Sequence, residues 1–191
     1  IGWCDWSSDV CSSDLLWAIL LGAGILAWPV RFSDKKTIAV IWMIKIIVVL
    51  GFMLFYEYHY STDSFGYFNI SDKMDFGLNT DSARNTRIFD GFLMVSNLAW
   101  IIQHVAPNSY HAMKISFAMI GLVGIYIFYR SAVLFLGYDR KYLFYALALF
   151  PSVLFWTGTL GKEPVMIFGL SLYVYGAANK ISDYTCGYRR L

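Results

Sequence analysis

The chain has 191 residues, of which 58% are hydrophobic, 19% aromatic and 15% charged, and its mean hydropathy is +0.54. A soluble domain carries roughly one charged residue in four, so this composition excludes an ordinary soluble globular fold and calls for an apolar solvent, the lipid bilayer. A formal net charge of +2 is too small to serve a nucleic-acid partner, and three cysteines, Cys4, Cys11 and Cys186, offer neither a disulfide framework nor a zinc pattern.

The first element is anomalous. Residues 5–15 read DWSSDVCSSDL. The stretch resembles the translation of a short-read sequencing adapter, codon by codon from Asp5 to Asp14, with a partial codon supplying Leu15. Residues 1–15 are therefore set aside from functional reasoning, as a fusion scar would be. A reading frame that opens in adapter opens at a contig end, so the expectation is a fragment without its natural N-terminus.

Residues 15–30, LLWAILLGAGILAWPV, form an apolar run that is short for a span, and RFSDKK separates it from the next. Residues 37–55, TIAVIWMIKIIVVLGFMLF, make about 28 Å of helix at ~1.5 Å per residue, enough to cross the hydrocarbon core. A polar stretch follows to about residue 90. Within 91–105, helical spacing puts Ser96, Asn97, Trp100, Gln103 and His104 on one arc. Phe92, Val95, Leu98, Ile102 and Val105 lie opposite, the pattern of a helix resting in the membrane surface. A spanning helix there would reverse every later orientation.

Further spans are expected at 112–129, 142–159 and, shorter, 164–178, the last two joined by LGKE into a tight hairpin. Pro164 suits a first helical turn, where its missing N–H is not needed. The expected fold is all-α: a polytopic transmembrane helical bundle of about four to five spans over residues 16–180. It carries an external loop at 56–111, a surface helix and a truncated tail at 181–191.

Basic residues set the orientation. With RFSDKK in the cytoplasm, alternation also places Arg130, Arg140, Lys141, Lys180, Arg189 and Arg190 there, leaving Lys73, Arg84, Arg87 and Lys162 outside. The loop then faces the periplasm or cell exterior, and the expected location is a bacterial inner (plasma) membrane, crossed several times. Lys45 and Lys114 lie within spans. Lys45 has no acid partner in any expected span, whereas Lys114 is close enough to an end to snorkel.

The external loop holds Glu57, Asp63, Asp72, Asp75, Asp81 and Asp90, six of the thirteen acids in the chain. Most read as solvated loop acids. Asp63 differs by position, eight residues past the apolar span amid aromatics, where a carboxylate at a cavity mouth becomes a better base. A second locus, FPSVLFWTGTLGKEPVMIF, puts Lys162 and Glu163 at the hairpin tip on the same side.

The order of these pieces is a span, a loop containing TDSFGYF, a surface helix, MKISFAMIGLVGIYIFYRSAVLFLG, and ALFPSVLFWTGTLGKEPVMIF. It resembles the N-terminal third of GT-C class membrane glycosyltransferases, in particular the dolichyl-phosphate-mannose-protein mannosyltransferase-like family. The resemblance covers roughly residues 37–180, and PSxxFW with GKE carries most of it. It implies a polyprenyl-phosphate-linked sugar donor, inverting transfer outside the cytoplasm, and a glycan, lipid or protein acceptor. It implies Asp63 as the catalytic carboxylate, Tyr67 at the usual following position, and Glu163 as the second acid of the site. The chain departs from the family at two places: Ser64 follows Asp63 where a second acid is frequent, and Glu163 stands where Asp is common.

A lipid phosphate already leaves easily, so the needs reduce to one base, worth ~10²–10⁴-fold in rate, and cations to hold the departing phosphate. Lys162, Lys114, Arg84 and Arg87 lie on the correct side for that role. The histidines His59, His104 and His111 have no metal-like spacing, so no cofactor is expected, and a divalent cation between Asp63 and Glu163 has no spacing in its support. Two other readings stand beside this one. A cell-envelope polysaccharide polymerase would show similar hairpins and loops. A transporter or structural membrane subunit would place its charges mid-membrane, as Lys45 is placed. The chain by itself is expected to be inactive, because a groove for the carrier lipid needs later helices.

Overall fold

The computed structural model describes residues 11–60, 63–73 and 91–188, and the described residues are helices and turns without a strand. Helix α1 (Ser12–Ala27) opens on Cys11, whose N–H donates to the Asp14 carboxylate at 3.1 Å, while the Asp14 N–H returns a bond to the Cys11 carbonyl. Cys11 is disulfide-bonded. Helix α2 (Phe32–Ile47), a π-helical turn (Val48–Phe52) and α3 (Met53–His59) form one continuous rod of 28 residues. The rod reaches beyond the apolar run at both ends, so Tyr56 to His59 belong to a helix and not to the external loop.

Within that loop lie α4 (Ser64–Lys73) and α5 (Gly91–Gln103), packed on one another. Helix α6 (Tyr110–Leu136) starts where the Ser109 hydroxyl accepts the His111 N–H at 3.2 Å. It stops at Gly137, which turns left-handed at φ 74° and closes its N–H on the Val133 carbonyl. The rod and α6 are long and apolar enough to cross a membrane.

The span expected at 142–159 is broken. Pro151 lacks an N–H and disfavours helical backbone at the residue before it, so Phe150 is extended at ψ 123°. The segment divides into α7 (Lys141–Ala148) and α8 (Pro151–Trp156). Helix α9 (Lys162–Tyr188) follows the turn at 157–161, with Glu163 in its first turn, where a carboxylate complements the helix dipole.

Side-chain contacts fix how these elements run. Trp17 Nε1–H donates to Ser116 Oγ at 2.9 Å and Trp28 rests edge-on against Tyr126, so α1 and α6 are parallel. The rod is antiparallel to α6: Asp34 accepts from the Tyr126 hydroxyl at one end, and Glu57 from Lys114 at the other. Between these ends Ile38, Ile41 and Trp42 pack with Ile115, Leu122 and Ile125 in the main core, and Phe144 of α7 closes it. Helix α9 runs parallel to α6 and presses closely on it. A Cβ on Gly121 would stand 2.6 Å from the Thr157 carbonyl oxygen, and one on Gly124 would stand 2.9 Å from Phe168 Cα. Small residues at these positions let backbone approach backbone, the usual device where helices pack without a hydrophobic drive.

The outward face is apolar as well. Met43, Ile47, Phe52 and Phe55 along the rod, and Met166, Leu170 and Tyr173 along α9, are exposed. A water-soluble surface rarely offers such a patch. Helix α5 departs from the expected split between polar and apolar arcs. Ser96 is buried with Val95 and Ala99, while Val105, just past the helix, is exposed. The reason is packing: α5 lies against α4 and α6 through Tyr67, Phe68, Met113 and Phe117, so the face turned to these neighbours is the buried one.

Candidate functional site

Two polar clusters cap the bundle, one at each end. At the end where the rod finishes and α6 begins, Lys114 Nζ meets Glu57 Oε2 at 2.8 Å, with side chains 0% and 4% exposed. The Tyr110 hydroxyl donates to the other carboxylate oxygen at 3.0 Å, and Tyr110 lies one helical turn before Lys114, whose ammonium sits 5.4 Å from that ring. The pair is thus dry and nearly saturated with partners. Buried at this same end, His111 Nδ1 and one Asp14 carboxylate oxygen have no hydrogen-bond partner.

Tyr110 also reaches outward. Its ring stacks on Phe65 at 4.4 Å and meets Phe68 edge-on at 5.8 Å. Both belong to α4, so the buried ion pair and α4 are one assembly. Asp63 immediately precedes α4; it is exposed, and its carbonyl accepts the Tyr67 N–H at 3.2 Å. Tyr67 points the other way and is buried in a small core with Phe68, Val95, Ala99, Met113, Phe117 and Leu160. Leu160 and Val165, both in that core, bracket Lys162 and Glu163. Lys162 is exposed, and Glu163 is half-buried, folded back so that a Cβ on Gly161 would come 2.5 Å from its Oε2.

The sequence-derived site residues therefore fall into four groups. Tyr67, expected beside the substrate, is buried in the small core. Asp63, Lys162 and Glu163 share one end of the bundle, tied through the small core. Lys114 is at that end too, but it does not snorkel: it is sealed against Glu57. Arg84 and Arg87 lie outside the described residues. Among the described residues no three His, Cys, Asp or Glu side chains stand together as a metal would need.

Glu57, Tyr110 and Asp14 were not singled out in the sequence. The Tyr110–Lys114 spacing of four on a helix was a usable signal, and an intramembrane lysine requires a counter-charge. Which acid supplies it depends on how the rod docks on α6, 57 residues away.

Deeper in the bundle, Lys45 is 0% exposed and its ammonium donates to the Thr157 hydroxyl, which itself donates to the Val153 carbonyl. Thr157 is the residue that presses on Gly121. Lys45 thus takes a hydroxyl as partner where no acid was available, one helical turn before the π-helical turn.

At the opposite end, Arg130 lies 3.9 Å from Asp34 and 3.6 Å from Asp139, and Arg31 binds Asp139 at 3.1 Å. Tyr126 and Tyr129 donate to these same carboxylates, and Lys141 Nζ donates to the Ser33 carbonyl at 3.1 Å. This network clamps the start of α2 to the end of α6 and the start of α7.

No known protein family, no curated protein and no solved structure matches the chain.

Proposed function

We propose that this chain is the N-terminal membrane part of a glycosyltransferase of the GT-C class, which moves a sugar from a polyprenyl phosphate to an acceptor outside the cytoplasm. The observation that carries the reading is the small core joining α4 to the hairpin. Through Tyr67, Leu160 and Val165, the exposed carboxylate of Asp63 is held at the same end as Lys162 and Glu163.

The chemistry follows from that placement. Asp63 accepts the proton of an acceptor hydroxyl, whose oxygen attacks the anomeric carbon. The bond from that carbon to the phosphate oxygen breaks, and the polyprenyl phosphate departs with the electron pair, giving inversion. Lys162 is placed to hold the charge that develops on the leaving phosphate, with Arg84 and Arg87 of the loop as further cations. Lys114 can join them only by leaving Glu57, so its part is to anchor Tyr110 and, through it, α4. Glu163 orients the acceptor beside Lys162. The broken passage α7–α8, together with α1 and α9, completes a multi-pass bundle in this reading. In this reading Asp63 lies on the outer face of a bacterial inner membrane, and the basic residues gathered at the other end support that orientation.

The test is Asp63→Asn in the complete reading frame that carries this chain, assayed in membranes supplied with polyprenyl-phosphate-linked sugar. Transfer is expected to fall by at least ~10²-fold, with unchanged insertion and yield. Turnover like that of the parent protein removes Asp63 as the base. A transporter reading has one observation in its favour, the buried Lys45 beside a π-helical turn, a feature frequent at functional sites. That reading requires Lys45→Met, and not Asp63→Asn, to abolish function.

A further inference from the structure

The network at the Arg31 end leaves cations to spare. Its two described acids are already answered: Asp34 by Arg130 and the Tyr126 hydroxyl, Asp139 by Arg31, Arg130 and the Tyr129 hydroxyl. Among the described residues, no acid lies within ion-pair distance of Lys36 or Lys141. Both are exposed, and both line one open groove of about 380 Å³ between α2 and α7.

The order of residues along that groove is specific. On α2, Phe32 stands at the helix start, 75% exposed; Lys36 follows one turn inward, and Val40 two turns inward, 49% exposed. On α7, Lys141 is the first residue, and Tyr145 lies one turn deeper. Each helix thus presents a cation near the end of the bundle and an apolar side chain further along. Lys141 is fixed in place by its bond to the Ser33 carbonyl, and the Thr37 side chain closes the floor between the two helices. A phospholipid has the same layout: an anionic phosphate at the surface and an acyl chain running inward. Basic pockets between membrane helices at one face of the bilayer suit anionic headgroups, and an aromatic such as Phe32 suits the interface.

We propose that the α2–α7 groove binds one anionic phospholipid, its phosphate held between Lys36 and Lys141 and an acyl chain lying along Val40 and Tyr145. The proposal requires that the rod and α6 cross a bilayer, but it does not require glycosyl transfer. Neither Asp34 nor Asp139 lines the groove, whose charged lining residues are Lys36 and Lys141, so the groove is net positive.

The test uses the full-length protein in neutral detergent, titrated with phosphatidylglycerol and, separately, with phosphatidylcholine. Bound lipid is counted by native mass spectrometry. One phosphatidylglycerol is expected per chain, with phosphatidylcholine much weaker. Each of Lys36→Gln and Lys141→Gln should weaken phosphatidylglycerol binding roughly five-fold and the pair roughly twenty-five-fold. Lys180→Gln, which removes an exposed charge outside the groove, should change nothing. Because Lys141 also bonds to Ser33, Lys141→Arg serves as a control that keeps both charge and clamp and should retain the lipid. Equal binding by the double variant overturns the proposal, as does loss of lipid in Lys180→Gln to the same degree. Displacement of the lipid by millimolar inorganic phosphate would mark a free-anion site and overturn the lipid assignment.

Discussion

Lys114 and Glu57 meet at 2.8 Å with both side chains out of solvent, and that burial sets the scale of what their removal does. Deleting one member strands the other charge in an apolar surrounding, a loss of about 3–5 kcal/mol, whereas replacing both with apolar side chains of similar size is often neutral. Lys114→Met and Glu57→Leu should each lower the melting temperature of the detergent-solubilised protein sharply, and the double variant should recover most of the loss. A double variant as unstable as either single one would show that the pair does not act as a unit. The same pair explains a limit of sequence reading. Lys114 was legible as a cation within a span, either holding phosphate or snorkelling, but Glu57 looked like one loop acid among six, because it lies beyond the apolar run. It belongs to a helix only because Lys114 neutralises it and Tyr110 binds its second oxygen. Asp63 was chosen from its position past the apolar run and from the family resemblance, and the structure shows it exposed just before α4.

Among the elements, α6 and α9 depend on glycine more than on apolar area. Gly121 faces the Thr157 carbonyl, and Thr157 in turn supports Lys45. Gly121→Ala drives a methyl into backbone that cannot yield, an overpacking worth about 1–3 kcal/mol, and it disturbs the hydrogen bond of the buried Lys45 ammonium as well. Gly169, on the same α9, meets nothing within 4 Å. Gly169→Ala should therefore be neutral or stabilising, by up to ~1 kcal/mol from helix propensity. Thermal melting of the two variants side by side decides the matter, and equal destabilisation by both would remove the close contact between α6 and Thr157 as the cause. The two helices long and apolar enough to cross a membrane were legible because their apolar runs come close to the thickness of the hydrocarbon core. The break at Phe150 was also written in the sequence, since Pro151 sits inside an apolar run, but run length by itself reads across it. The inward face of α5 was not legible, because it is set by packing against α4 and α6, which run length and spacing within α5 do not reveal.

For the whole molecule, the decisive property is which end faces out. The contacts place Asp63, the Glu57–Lys114 pair and Lys162 at one end, and Arg31, Arg130, Arg140 and Lys141 at the other. Charge asymmetry of this kind favours the Arg31 end inside the cell, because basic flanks resist transfer across the membrane. The rod supplies a reporter for each end on exposed positions: Lys36 near its start, and Asn69 on α4 beyond its finish. Ser64 would be a poor reporter, since it is buried. Asn69→Cys should react with a membrane-impermeant maleimide in intact cells, and Lys36→Cys only after the membrane is opened. Labelling is read as the increment over the parent protein, so that native thiols cancel. The reverse pattern would set Asp63 in the cytoplasm, on the wrong face for a sugar presented outside on a lipid carrier, and the proposed transfer would have no substrate within reach.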